Sequence, residues 1–211
     1  MMDDEETGDL TDFGANVSRE TFYRLKRFED LLIKWNPYAS LVSRKSVSDR
    51  RDRHFRDSAQ LYRFWPPSCG NWLDLGSGGG FPALVLACQG LDSHPETGFT
   101  LVEPNAKKCA FLKTVARELG LNARIETVRA ESLEPQNADV VSARALAPLE
   151  DLLGYAERHL APDGLCIFPK GEGYEREIDA ALQNWKFDLD IVRSETKNGA
   201  AILLARNIRR V

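Results

Sequence analysis

The sequence predicts an α/β fold built on a mostly parallel sheet of seven strands, preceded by an N-terminal helical extension. From Asn71 onward, short apolar segments alternate with helical ones, which is typical of βαβ units and of a parallel sheet covered on both faces. The last two apolar segments, residues 187–195 and 200–208, have no helix between them and predict an antiparallel hairpin at one edge. Together these patterns indicate a Rossmann-like architecture.

The chain divides into three predicted segments. Residues 1–15 form a tail that we expect to be flexible, because residues 1–12 hold six acidic residues and no Lys or Arg. Residues 16–68 predict a helical cap and residues 69–211 the α/β domain, and we expect the two to form one compact unit.

The cap is predicted to contain two helices. The first begins at Ser18, a good N-cap residue, carries apolar side chains at helical spacing and ends at Asn36-Pro37. The second runs from about Asp49 through Tyr62 and is rich in arginine.

The α/β domain then alternates strictly between the two kinds of element. Strands are predicted at 72–76, 99–103, 123–130, 138–145 and 165–171, and helices at 81–89, 105–119, 148–160 and 174–185.

Charge is distributed unevenly along the chain. The net charge of −4 argues against a nucleic-acid partner at first, but outside the acidic first twelve residues the chain carries 28 basic and 26 acidic residues. Seven Lys or Arg and only three acids lie between Arg44 and Arg63. A local patch decides nucleic-acid binding more than the total does, although a solvated helix surface would have the same composition.

Cysteine spacing and hydropathy set the expected compartment. The four cysteines are far apart and form no CxxC pair, so we expect reduced thiols and no metal site. There is no run of eighteen apolar residues and no secretory signal, so we expect a cytoplasmic protein without a membrane partner.

A glycine-rich turn is the strongest local signal. Gly76, Ser77 and Gly78 follow the first strand of the domain, where glycine lets the backbone touch a ligand. Glu103 ends the second strand, where a carboxylate can accept from both ribose hydroxyls of an adenosine. The turn and this acid together predict a nucleoside site.

Two cofactors compete for that site. The dinucleotide fingerprint needs a third glycine where this chain has Phe81. Asp74, before the first glycine, suits the ammonium and sulfonium of S-adenosylmethionine better than a pyrophosphate. We therefore expect S-adenosylmethionine rather than NAD, and a class I S-adenosylmethionine-dependent methyltransferase fold.

Several separated blocks resemble one known family. They are KWNPYASLVS (34–43), RHFRDS (53–58), LDLGSGGGFP (73–82), LVE (101–103), RAE (129–131), SARA (142–145) and PKG (169–171). In these blocks, from roughly Leu31 to Lys170, the chain resembles the RsmG (GidB) family, bacterial methyltransferases of small-subunit ribosomal RNA that modify guanine N7. Ser40 and Ala83 stand where the family usually has Asn and Gly.

The resemblance implies a function and a set of site residues. The function is methyl transfer from S-adenosylmethionine to N7 of a guanosine in 16S ribosomal RNA, free or in the small subunit, by in-line attack without a general base. It implies cofactor contacts at Gly76, Gly78, Phe81, Glu103, Ala130, Glu131 and Arg144, to which the turn adds Asp74 and Ser77. Arg144 is also the candidate catalytic residue, with a surface salt bridge as the alternative.

The basic blocks supply candidates for RNA contact, namely Arg53, His54, Lys107, Lys108 and Lys170. His54 could equally be a structural histidine bonded to Asp57. No nucleophilic cysteine box or Asp/Asn-Pro-Pro box is present, which disfavours cytosine-C5 and adenine-N6 chemistry.

Other interpretations stay open on the residues alone. One is a methyltransferase of a small molecule or a protein, and another is a non-catalytic RNA-binding assembly factor on the same fold. An NAD-dependent reductase is a more distant third. We expect a monomer that does not bind DNA.

Overall fold

The computed structural model describes residues 13–14, 17–43 and 48–211. Seven strands carry the domain: β1 (Asn71–Leu75), β2 (Gly98–Val102), β3 (Ala123–Glu126), β4 (Ala138–Ala143), β5 (Leu160–Lys170), β6 (Trp185–Arg193) and β7 (Ala201–Arg210). The α-helices are α1 (Arg19–Ala39), α2 (Asp57–Ala59), α3 (Ala83–Gly90), α4 (Ala106–Glu118), α5 (Leu149–His159) and α6 (Tyr174–Ala181).

The strands form one sheet in the order β3-β2-β1-β4-β5-β7-β6. The first five are parallel, while β7 pairs antiparallel with both β5 and β6, so the predicted sheet and its terminal hairpin are confirmed. The chain order reverses between β1 and β4. In open α/β sheets ligands bind at such a switch point, outside the carboxyl ends of the strands.

The sheet is buried on both faces. Neighbouring residues of a strand belong to different apolar clusters on the two faces of the sheet. Trp72 and Val140 pack in the cluster with α1, α3 and α4. Leu73 and Val141 pack in the cluster with α5. Side chains alternate between the two faces of a strand, so strands buried on both sides consist of continuous apolar runs. This rigid sandwich holds the carboxyl ends of the strands in place.

The first cap helix begins as predicted and ends later. Ser18 is its N-cap and accepts a hydrogen bond from Thr21 N at 3.1 Å. The prediction that it stops at Asn36-Pro37 is wrong, because Pro37 lies inside the helix and Ser40, in the left-handed conformation, caps it by donating to the Asn36 carbonyl. A proline in the last turn removes only one bond.

The second cap helix is irregular. The π-helical turn Arg51–Arg56, α2 and the 3₁₀ turn Gln60–Phe64 follow one another directly. The prediction that the tail extends to residue 15 is wrong at Phe13, which is buried with its ring 5.5 Å from that of Phe22 and 5.2 Å from that of Phe55. Residues 1–12 and 15 of the predicted tail lie outside the described residues.

Three boundaries in the α/β domain differ from the predictions by four or more residues. β3 ends at Glu126, and Ala130–Ser132 forms a 3₁₀ turn instead of more strand. β5 begins at Leu160, where it pairs with Ala138 before a register shift. α6 ends at Ala181, because the buried Trp185 starts β6.

Within the described ranges, no helix is long and apolar enough to span a bilayer. Nor do their His, Cys, Asp and Glu side chains come together in any group of three that could hold a metal ion. All four cysteines are buried free thiols.

Candidate active site

A cleft of about 890 Å³ opens at the carboxyl ends of β1, β2 and β4. The glycine turn and Glu103 form one side. The other side comes from the cap and from the loop between β6 and β7, which contributes Thr196 and Lys197. The cleft therefore lies at the switch point, between the sheet and the two elements that fold over its edge.

The glycine turn is shaped by contacts of its own. Ser77 N donates to the Val102 carbonyl at 3.0 Å, and its hydroxyl donates to the Asp74 carbonyl at 3.1 Å. Gly78 has a φ of +53°, and the space where its side chain would stand holds no atom closer than the Gly76 oxygen at 3.7 Å. A ligand can thus approach the bare Gly78 backbone.

Glu103 is fixed in the cleft wall by two backbone amides. One carboxylate oxygen accepts from Gly78 N at 3.0 Å and the other from Asn105 N at 2.8 Å. The residue is only 6% exposed and follows β2 directly. Each oxygen keeps further acceptor capacity, which fits a ligand that presents a pair of hydroxyl groups.

Asp74 lies beneath the turn, 1% exposed. One carboxylate oxygen accepts from the Ser142 hydroxyl at 2.6 Å, and Trp72 Nε1 donates to Ser142 Oγ at 2.9 Å. The other oxygen has no hydrogen-bond partner among the described residues. Burial raises the pKa of Asp74 to about 7, against the hydrogen bonds and the Arg144 charge that lower it. A buried, incompletely satisfied carboxylate favours a cationic ligand nearby.

Arg144, which follows β4, connects the sheet to the cap. Its guanidinium donates to Asp57 Oδ2 and to the Arg53 carbonyl, both at 3.1 Å, and contacts His54 Nδ1 at 3.2 Å. It also lies over the Phe81 ring, 5.1 Å from the centroid. Desolvation lowers the pKa of Arg144, and the Asp57 charge opposes that shift. Arg144 is partly buried and contacts three residues of the cap, which distinguishes it from the alternative of an isolated surface salt bridge.

His54 stacks on Phe81 with the ring centroids 5.1 Å apart. Burial first, and then the Arg144 and Arg53 charges, lower the pKa of His54 to about 4, although Asp57 opposes them. The proposed bond between His54 and Asp57 takes a different form, since Arg144 stands between the two and bonds to both. His54 is therefore neutral near pH 7 and lines the cleft.

The cleft brings together most of the predicted residues but not all. Those that line it are Gly76, Ser77, Gly78, Phe81, Glu103, Arg144, Arg53, His54 and Lys108. Asp74 lies below the cleft, and the exposed Lys107 is not among the residues that line it. Ala130 is buried, and the exposed Glu131 accepts from the Tyr155 hydroxyl at 2.7 Å. The cofactor roles of Ala130 and Glu131 stay predictions.

Lys170 differs most from expectation. Its ammonium donates to Glu177 Oε2 at 2.6 Å and to the Ala147 carbonyl at 2.8 Å, and its side chain is 8% exposed. An RNA contact from Lys170 stays a prediction. In this structure the Lys170 ammonium forms an ion pair with Glu177 that connects β5 to α6.

The sequence analysis missed a polar group that joins the cap to the β6–β7 loop. Gln60 Nε2 donates to Asp57 Oδ1 at 3.1 Å, and Gln60 Oε1 accepts from Glu195 N at 2.9 Å. Thr196 donates to the same Asp57 oxygen at 2.8 Å. Asp57 lay in a recognisable block, but no local pattern marks Thr196 or Gln60.

Solved structures of other proteins share this fold. A SAM-dependent methyltransferase from Aquifex aeolicus is similar over 74% of this chain and 92% of its own, with a TM-score of 0.56 and 16% identity. M. jannaschii TYW2, solved in complex with AdoMet, is similar over 81% of this chain and 78% of its own, with a TM-score of 0.55 and 16% identity. The chain therefore has the Rossmann-like fold that is also found in an S-adenosylmethionine-dependent methyltransferase.

The family model described as rRNA small subunit methyltransferase G (GidB) matches residues 22–203, and the chain belongs to this family. A protein of Ruegeria sp. named ribosomal RNA small subunit methyltransferase G is 47% identical over 93% of this chain and 95% of its own length. A protein of the same name from Rhodospirillum centenum is 46% identical over 92% and 88%. The resemblance seen in the sequence blocks is confirmed.

Proposed function

We propose that this chain transfers the methyl group of S-adenosylmethionine to N7 of a guanosine in 16S ribosomal RNA. Family membership supports the substrate class. The observation that supports the proposal is the cleft itself, in which the glycine turn and Glu103 lie opposite Arg53 and His54 of the cap. The choice of N7 rests on the family resemblance.

The cofactor would be held by residues of the sheet edge. Glu103 would accept from the ribose hydroxyls. Two backbone amides hold its carboxylate in place, and each oxygen can accept a further hydrogen bond. Asp74 would offset the positive charge of the ligand, and Gly78 would let the ligand lie against the backbone. Phe81 would supply an apolar wall.

When bound, S-adenosylmethionine supplies an electrophilic methyl group, which passes to the N7 lone pair as the C–S bond breaks and leaves its electrons on sulfur, with no proton released. The protein therefore needs no general base. Its task is to hold the purine in line at near-attack distance and to exclude water, and orientation of this kind supplies most of the acceleration.

Arg144 is suited to that positioning task. Asp57, the Arg53 carbonyl and His54 hold its guanidinium from the cap side, so the group is rigid before substrate arrives. His54 stays uncharged because its pKa is about 4, and a neutral imidazole avoids adding repulsion beside a purine that becomes cationic.

RNA contact would come from the rim of the cleft. Arg53 and Lys108 line it, and Lys107 is exposed beside it on α4. Such cations hold phosphates and fix the orientation of the nucleic acid without reading its sequence. We expect the protein to act as a monomer in the cytoplasm.

The test is transfer of labelled methyl from S-adenosylmethionine to three acceptors in parallel: small ribosomal subunits lacking the modification, deproteinised 16S RNA, and free nucleosides. Label in 7-methylguanosine from either RNA acceptor is the expected result. Label in free nucleosides or in protein alone would move the chain to the small-molecule or protein methyltransferase class. Absence of cofactor binding would favour a non-catalytic assembly factor.

Glu103→Ala is the loss-of-site variant, because it removes the carboxylate that accepts from the Gly78 and Asn105 amides. The control is Glu118→Ala, because Glu118 is an exposed residue of α4 that forms a surface ion pair with Arg27 of α1. We expect the affinity for S-adenosylmethionine to fall at least about tenfold in the first variant and to stay unchanged in the second.

A further inference from the structure

A second cavity of about 430 Å³ adjoins the cofactor cleft. The two share a wall formed by Asp57, Arg144–Leu146 and Lys197. Within this wall Ala145 is held at a φ of +54°, a conformation that non-glycine residues rarely adopt and that is concentrated at functional sites. The two cavities therefore adjoin at these residues, and a ligand in the second cavity lies beside the cofactor cleft.

The lining of this cavity combines apolar residues with the carboxylates of Asp57 and Glu177. Pro169 and Ile202 from β5 and β7 contribute the apolar surface, and Glu177 from α6 lines the cavity but not the cleft. Glu177 Oε2 is held by Lys170 at 2.6 Å and by Leu149 N at 2.8 Å. Its other oxygen accepts no hydrogen bond from the described residues, and the side chain is 35% exposed.

The mouth of the cavity carries a cation. Lys197 is exposed in the β6–β7 loop and lines both cavities. In the part of the chain that the structure describes, its ammonium makes no hydrogen bond or ion pair. The contacts of Gln60 with Glu195, Ser194 and Thr196 fix the loop that carries it.

We propose that this second cavity receives the acceptor guanosine of the proposed methylation, with Glu177 accepting from the Watson–Crick edge of guanine and Lys197 contacting the phosphate. Enzymes that act on a base extrude it into a pocket and bind that edge. Guanine presents two donors there, N1–H and the N2 amino group, whereas adenine presents an acceptor at N1. A carboxylate therefore selects guanine, and it leaves N7, on the opposite edge of the base, directed away from Glu177 and towards the shared wall.

This inference rests on the proposed function, and base analogues test it separately. Once the methylated position is mapped, RNA is assembled with inosine at that position. Inosine keeps N7 and N1–H and lacks only the N2 amino group. The wild-type enzyme should methylate the inosine RNA with a kcat/KM lower by roughly tenfold or more, the usual cost of one lost recognition pair.

Glu177→Gln then asks whether Glu177 causes that preference. The variant should lower kcat/KM for the guanosine RNA and bring the guanosine-to-inosine ratio close to one. Glu175→Gln, on the exposed side of the same helix, is the control and should keep the wild-type ratio. The affinity for S-adenosylmethionine reports whether each variant is folded.

Lys197→Ala should raise KM for RNA, leave kcat unchanged and reduce the salt dependence of binding by about one phosphate contact. Lys186→Ala, at the far end of β6, is its control. Equal rates on guanosine and inosine RNA with the wild-type enzyme would overturn the assignment of Glu177. So would an unchanged ratio in Glu177→Gln, which would leave that residue a purely structural partner of Lys170. If guanosine RNA is not methylated at all, the proposed function itself fails, which is a different outcome.

Discussion

Arg144 and Asp57 form an ion pair of 3.1 Å that ties the end of β4 to the cap. Their side chains are 17% and 21% exposed, so the pair is shielded from solvent. The same Asp57 carboxylate accepts from Thr196 in the β6–β7 loop. One carboxylate therefore holds together the three elements that surround the cleft.

Asp57→Asn should weaken both the fold and the reaction. It keeps the shape but removes the charge opposite Arg144, so we expect a loss of about 2 kcal/mol in the free energy of unfolding and a lower kcat. Urea denaturation measures the first and methyl transfer the second. Asp92→Asn, in a surface pair with Arg24, should cost less than about 1 kcal/mol. Equal effects of the two variants would contradict the role given to Asp57.

Cofactor affinity should increase with pH through Asp74. Burial raises the pKa of this carboxyl to about 7, so near pH 6 much of the empty protein carries it protonated. A cationic ligand favours the ionised form, so binding of S-adenosylmethionine should tighten between pH 6 and pH 8. Isothermal titration calorimetry at the two pH values checks this.

The variant Asp74→Asn should bind the cofactor more weakly and lose that pH dependence. If it keeps the wild-type pH dependence, another group is responsible. The pKa of Asp74 is higher in the folded protein than its ordinary value. The free energy of unfolding therefore falls as the pH rises from the ordinary pKa to about 7. Asp74→Asn should therefore stabilise the empty protein relative to wild type at pH 8 more than at pH 5.

His54 should titrate far below the usual range. Burial and the two arginine charges lower its pKa to about 4, and the imidazole proton resonances followed by NMR from pH 3 to pH 8 should shift with a midpoint near that value. The pH–rate profile should then show no inflection from His54 between pH 6 and pH 8. A midpoint at 6.5 or above would mean that the imidazole is not enclosed as the structure describes.

Acid should unfold the cap through Glu29. This fully buried carboxylate of α1 is held by Arg51 at 2.8 Å and 2.9 Å and by Arg50 at 2.8 Å. Burial alone would raise the pKa of Glu29, but these cations outweigh it and leave the pKa lowered. Its stabilisation is thus present above its ordinary pKa and lost as pH falls below that value.

We expect Glu29→Gln to lower the free energy of unfolding by about 2 kcal/mol at pH 7, because it leaves the partly exposed guanidinium groups of Arg50 and Arg51 without their charged partner. The difference between wild type and variant should shrink as pH falls below about 4.5. Denaturation curves over that pH range give the answer, and a difference independent of pH would exclude Glu29 as the acid-sensitive group.

The parts of the site that follow strands could be predicted from the sequence. Strand–turn–helix alternation fixes where β1, β2 and β4 end, and so Gly78, Glu103 and Arg144 were found in the cleft or its wall. Glycine and strand-end carboxylates are local signals, because the chemistry of the turn depends on adjacent residues.

The partners of those residues could not be predicted in the same way. Thr196 and Lys197 reach the cleft from 139 and 140 residues beyond Asp57, in a loop with no local pattern. Lys170 was assigned to RNA on its position in a block, but its charge is paired with Glu177, one helix further on. Pairings between distant elements depend on tertiary packing, and a single sequence carries no periodicity that reports them.

The most direct measurement of the central claim is the position of the methyl group. 16S RNA lacking the modification is incubated with the protein and S-adenosylmethionine, reduced with borohydride and treated with aniline, which breaks the strand only at 7-methylguanosine. We expect one new break, absent without cofactor and weaker with the Glu103→Ala variant at a limiting cofactor concentration. Methyl label incorporated into the RNA without any break would contradict methylation at guanine N7.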